Sequence, residues 1–111
     1  MGHTKKFKLK AEEIIDLVPT MAGCYATDKI TVDGMKVGYM YREYPDNAGD
    51  SGWRFFSGTE TQDYVDDANN TMIYKVNTIA NYDQAIIPYL NSPPGSKLDR
   101  VDNTHEFKLI V

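Results

Sequence analysis

The string Ser51-Gly52-Trp53-Arg54-Phe55-Phe56-Ser57-Gly58 constrains the fold of this chain more than any other part of it. Bulky side chains run from Trp53 to Phe56 between two Ser/Gly pairs, which predicts a short strand whose glycines permit a bulge or the close approach of another backbone. Trp53 and Phe55 then point one way, Arg54 and Phe56 the other. The single tryptophan is read first as a core anchor whose indole nitrogen finds one acceptor, and second as an interface hot spot.

The flanking sequence supplies further short elements. Ala11, Ile14, Ile15 and Val18 fall at helical spacing with Glu12 and Glu13 in the first turn and Pro19 as a stop, which predicts a helix over 11–18. Cys24 to Thr27 and Val37 to Tyr41 are strand formers, and Asp33-Gly34 between them suits a tight hairpin turn. In the second of these strands Val37, Tyr39 and Tyr41 share one face and Gly38, Met40 and Arg42 the other, and either could be buried. Residues 43–51 read as an exposed loop, Thr59 or Thr61 as the cap of a brief turn through Tyr64, and Met72 to Val76 as a strand. Asp83 suits the cap of a helix that Pro88 must bend or shorten. Lys97 to Val101 and Glu106 to Val111 close the chain as two strands. Residues 1–10, where Lys5, Lys6, Lys8 and Lys10 alternate with Phe7 and Leu9, form a basic segment fit for an edge strand; Met1-Gly2-His3 carries no weight. Residues 11–111 then make one small α+β domain, with a mainly antiparallel sheet and two or three short helices.

Charge is unevenly placed. Glu43, Asp46, Asp50, Glu60, Asp63, Asp66 and Asp67 face the single base Arg54 within residues 43–67, a local balance of −6. Such a surface disfavours nucleic acid; it either stays solvated or attracts a basic partner. Eight tyrosines are a surplus to be half buried or used in contacts. No apolar run is long enough for a bilayer, no leader is recognisable, and the single Cys24 fits a reducing compartment, so the expected location is the cytoplasm.

Catalytic chemistry finds little support. His3, His105 and Cys24 are scattered without metal-ligand spacing, and the carboxylates lack an ordered calcium pattern. Gly49, Gly52 and Gly58 do not form a phosphate loop. Cys24 reads as a small buried residue and His105 as a surface or turn residue. Paired acids could perform glycosidic chemistry only from an apolar pocket that an exposed loop seldom offers. No cofactor, metal or catalytic residue is expected.

Several segments together carry a family resemblance: Cys24 to Ile30, Val37 to Arg42, Asp50 to Gly58 followed by Glu60, Tyr64 and Asp67 to Asn69, and Asn81 to Asp83 through Ile86, Pro88 and Leu90 to Ser96. From about residue 22 to residue 101 the chain resembles the immunity protein thirty-three-like domain, with Thr59 in place of an acid and Gln84 in place of a proline. The resemblance implies a non-catalytic α+β protein from bacterial toxin systems that binds and neutralises a cognate toxin. Joined to the acidic segment, it makes Asp50, Trp53, Glu60, Asp63, Tyr64, Asp66 and Asp67 the candidate partner-binding residues. The alternative is a small-ligand or regulatory binding module in which Trp53, Phe55 and nearby tyrosines line a pocket.

Overall fold

The computed structural model describes residues 5–19 and 21–110. Six strands form one mixed sheet: β1 (Gly23–Thr27), β2 (Tyr39–Arg42), β3 (Asp50–Phe56), β4 (Thr71–Lys75), β5 (Lys97–Arg100) and β6 (Phe107–Leu109). Their spatial order is β4-β1-β3-β2-β5-β6, and every neighbouring pair is antiparallel except β1 and β3. Among the described residues, three short helices, α1 (Asp28–Thr31), α2 (Gln62–Asp66) and α3 (Val76–Tyr82), and 3-10 turns over Ala11–Glu13, Ala68–Asn70 and Gln84–Tyr89 complete the α+β fold expected from the sequence.

Alternation along β3 divides the sheet. Trp53 and Phe55 point inward and are fully buried, with rings stacked at 5.8 Å and the indole N–H donated to Leu90 O at 3.1 Å. Met40, Ala26 and Leu98 lie in register with Phe55 on the same face, and α1 adds Ile30 while α3 adds Val76, Ile79 and Ala80. Each large side chain closed off in this way contributes about 1.5–3 kcal/mol. The core reading of Trp53 holds.

Four sequence expectations are corrected. The strands around Asp33-Gly34 do not form a hairpin, because α1 intervenes and β3 lies between β1 and β2. Gly34 has φ +78° and closes α1 instead, donating to Ile30 O while Met35 N–H reaches Lys29 O. A left-handed glycine serves a helix end as well as a hairpin. Strand β2 begins only at Tyr39; Val37, assigned to the face of Tyr39 and Tyr41, precedes it, buried, with its N–H on Asp83 Oδ2 and its carbonyl on Arg100 Nε.

The helix over 11–18 is reduced to a 3-10 turn at Ala11–Glu13. Asn77 and Asn81 of α3 take the backbone beyond it: Asn77 Oδ1 accepts from Leu17 and Val18 N–H, Asn81 Oδ1 accepts from Ile15 N–H, and both side-chain amides donate to Ile15 O. Residues 5–10 form no edge strand. Lys8 N–H donates to Thr31 O, Leu9 N–H to the Tyr82 hydroxyl, and Phe7 stands edge-on to the Tyr74 ring. Residues 1–4, 20 and 111 lie outside the described residues, including the first part of the proposed edge strand and the end of the last one.

Candidate functional site

The second face of the sheet carries the side chains that alternate with the core. One row runs Ile73, Tyr25, Arg54, Tyr41 and Lys97 across β4, β1, β3, β2 and β5, and the next runs Phe56, Tyr39, Asp99 and Lys108 across β3, β2, β5 and β6. Tyr39, Tyr41 and Phe56 form a triangle with ring centroids 5.8–5.9 Å apart, and Tyr41 stacks on Phe56 at an interplanar angle of 11°. These rings are half-buried, whereas Tyr25 and Ile73 are exposed.

Arg54 sits in the middle of this face and is held by its neighbours. Its Nη1 and Nη2 bond both oxygens of Asp50 at 2.9 Å, its Nε bonds Glu43 Oε2 at 2.9 Å, and its guanidinium lies 4.6 Å from the Tyr25 ring centroid. A bulge in β3 brings Asp50 back toward Arg54: Gly23 pairs with Asp50 and Tyr25 with Arg54, so three residues of β3 stand opposite one of β1. Gly52 at this bulge has φ +88°, and an added Cβ would lie 2.1 Å from Glu43 O. The forked Arg54 bonds hold the Asp50 carboxyl down at about 2 against the rise that burial would cause, with Gly52 N–H assisting. In return the Arg54 guanidinium is held in its charged form.

A lid of loop and helix overhangs one end of the face. Thr61 caps α2 by accepting from Tyr64 N–H at 3.2 Å, and Asp67 caps the following turn through Asn69 N–H. Glu60 anchors the approach, accepting from Thr27 Oγ1, Ser57 N–H and Gly58 N–H. Burial alone would raise the Glu60 carboxyl, but its hydrogen bonds from Thr27 and Ser57 together outweigh it and hold the group below its ordinary value. Two grooves open beneath Val65. One, of about 330 Å³, includes Tyr25, Tyr41, Arg54, Phe56, Val65 and Ala68 in its wall. The other, of about 340 Å³, is formed by Tyr39, Phe56, Gly58, Glu60, Val65 and Asp99.

The seven candidate residues separate into three groups. Trp53 is fully enclosed and offers no contact surface, which corrects its place among the partner-binding residues and its role as a pocket wall. Asp50 and Glu60 are committed to Arg54 and to the 57–60 turn. Asp63, Asp66 and Asp67 are exposed on or beside α2, and Tyr64 is half-buried with Lys29 Nζ 5.1 Å from its ring centroid. Tyr39 and Tyr41 enter the sequence reading as contact residues only within the general surplus of tyrosines, and Tyr25, Phe56 and Asp99 are not among its candidate binding residues. The signal for Tyr39, Tyr41 and Phe56 is the alternation on β2 and β3, which defines two faces without saying which one is covered, whereas Tyr25 on β1 and Asp99 on β5 join them only through the strand register.

The tyrosines show how differently the two faces are used. On the core side Tyr74 shares a hydrogen bond with Thr31 Oγ1, Tyr82 donates to Thr31 O, and Tyr89 accepts from Phe107 N–H. Among the described residues, the hydroxyls of Tyr25, Tyr39 and Tyr41 have no protein partner, and no buried side-chain polar atom is left without one. The phenols of Tyr39 and Tyr41 are raised, first by partial burial and then by the nearby charges of Asp99 and Glu43 respectively.

Cys24 lies on the core side, where burial pushes its thiol up to about 12 and removes its nucleophilic form near neutral pH. His105 is exposed. Among the described residues no group of three or more His, Cys, Asp or Glu side chains is placed to hold a metal ion, and no helix is long and apolar enough to cross a membrane.

Fold and face together define a small α+β domain that displays a half-covered aromatic surface bordered by carboxylates. Residues 24–111 match the family model described as Immunity protein Imm33 domain, and the chain belongs to that family. No curated protein and no solved structure shows a significant match.

Proposed function

We propose that this protein is a non-catalytic immunity protein of the bacterial cytoplasm, which protects its cell by binding a cognate toxin in a stoichiometric complex. Family membership supports the role. The observation that carries the choice of surface is the division of the tyrosines: those against the core use their hydroxyls internally, while Tyr25, Tyr39 and Tyr41 present theirs beside Phe56 on the other face. Tyrosines with an apolar body and a free polar end suit a protein interface. The contact surface is this sheet face together with the α2 rim of Asp63, Tyr64, Asp66 and Asp67, while Asp50 and Glu60 shape it from below.

The carboxylate border favours a basic toxin surface and faster encounter with it. A small-ligand pocket built on Trp53 is the weaker reading, since that ring is sealed in the core. Co-expression with its cognate toxin tests the proposal: restored growth and a one-to-one complex are expected. Continued killing with no complex at micromolar concentrations would reject it.

A further inference from the structure

The groove formed by Tyr39, Phe56, Gly58, Glu60, Val65 and Asp99 has a composition that its neighbours do not share. Two of its wall residues are carboxylates, and among the described residues neither forms an ion pair with a lysine or arginine. Lys108 faces Asp99 across the β5–β6 pair without coming within ion-pairing distance. Glu60 receives hydrogen bonds from Thr27 Oγ1 and Ser57 N–H on Oε2 and from Gly58 N–H on Oε1, which leaves Oε1 the less engaged oxygen. The rings of Tyr39 and Phe56, 5.9 Å apart, form the apolar side of the same groove. The adjoining groove differs, because its only charged wall residue, Arg54, is already bound by Asp50 and Glu43.

Negative charge with no ion-pair partner beside aromatic faces favours a cation with a flat surface. A guanidinium stacks on a ring while its N–H fork bonds carboxylates, and it sheds water more readily than an ammonium. We propose that this groove receives one arginine side chain of the toxin, stacked against Tyr39 and Phe56 and bonded to Asp99 and to Glu60 Oε1. This rests on the immunity reading for the identity of the partner, and on charge complementarity for the chemistry of the side chain.

The site is tested without the toxin by titrating ¹⁵N-labelled protein with an acetylated Gly-Arg-Gly amide and with its citrulline counterpart, which keeps the shape and loses the charge. Amide shifts centred on Phe56, Gly58, Glu60 and Asp99 are expected for the arginine peptide, with affinity about fivefold weaker for citrulline and for Asp99→Asn. Asp99→Asn carries the comparison because Glu60→Gln also disturbs the 57–60 turn; Asp16→Asn, on the exposed N-terminal segment, is the control. Equal responses to the two peptides, or shifts centred elsewhere, would overturn the site. With the toxin itself, wild type and Asp99→Asn binding alike would overturn the arginine contact and leave the immunity reading standing. No complex with either form would overturn that reading, and with it the toxin as the source of the arginine.

Discussion

The two faces of the sheet carry the same motif in opposite surroundings. On one, Trp53 and Phe55 stack at 5.8 Å, fully buried, with the indole N–H bonded to Leu90 O. On the other, Phe56 and Tyr41 stack at the same 5.8 Å, half-buried, with the Tyr41 hydroxyl free of protein partners among the described residues. Ring geometry therefore does not distinguish structural from contact aromatics here. What distinguishes them is the destination of the polar atom: inward it is satisfied by the chain, outward it is left to solvent or to a partner.

This contrast is sharpest in stability. Trp53→Ala should lose about 3–5 kcal/mol in chemical denaturation, and Phe56→Ala on the half-covered face about 1–2 kcal/mol. Equal losses would make the outer face a second core and remove the distinction. Asp50→Asn should cost about 2 kcal/mol at neutral pH by weakening the Arg54 clamp. Because the Asp50 carboxyl is depressed to about 2 in the folded state from an ordinary value of 3.8, its stabilisation is complete above about pH 4 and is lost as pH falls toward about 2. Acid titration of wild type and Asp50→Asn should thus converge across that window; parallel curves would show that the clamp contributes nothing.

Hydroxyl deletion gives a finer measure. Tyr74→Phe and Tyr89→Phe should each lose about 1 kcal/mol, while Tyr39→Phe and Tyr41→Phe should stay within about 0.5 kcal/mol of wild type. A reversed order would place the structural hydroxyls on the wrong face. Smallest in energy is the behaviour of Cys24, whose thiol should resist alkylation at pH 8 until the protein is unfolded; rapid native labelling would mean that the core side opens.

Much of this architecture was legible where local and global preferences agree. The β3 alternation, the burial of Trp53, the caps at Thr61 and Asp83, and the final strand pair all follow from residue types at their own positions. Helix α3 was missed because Val76-Asn-Thr-Ile79-Ala-Asn-Tyr82 is poor in strong helix formers, although Val76, Ile79 and Ala80 hold the right spacing for its buried face. Residues 11–18 show the reverse, an acceptable helical pattern overridden by Asn77 and Asn81 from a distant part of the chain. At the candidate site, counting carboxylates could not show that Asp50 is taken up by Arg54 while Glu60 and Asp99, the latter outside the acidic segment, border one groove. Pairing is a tertiary property.

Amide exchange on the complex with the cognate toxin tests the proposed contact surface most directly. Added protection is expected over Tyr39–Arg42, over residues 56–66 and at Asp99, with Asn77, Asn81 and residues 84–89 on the covered side unchanged. Protection centred on the covered side, with the aromatic sheet face exchanging as it does in the free protein, would contradict it.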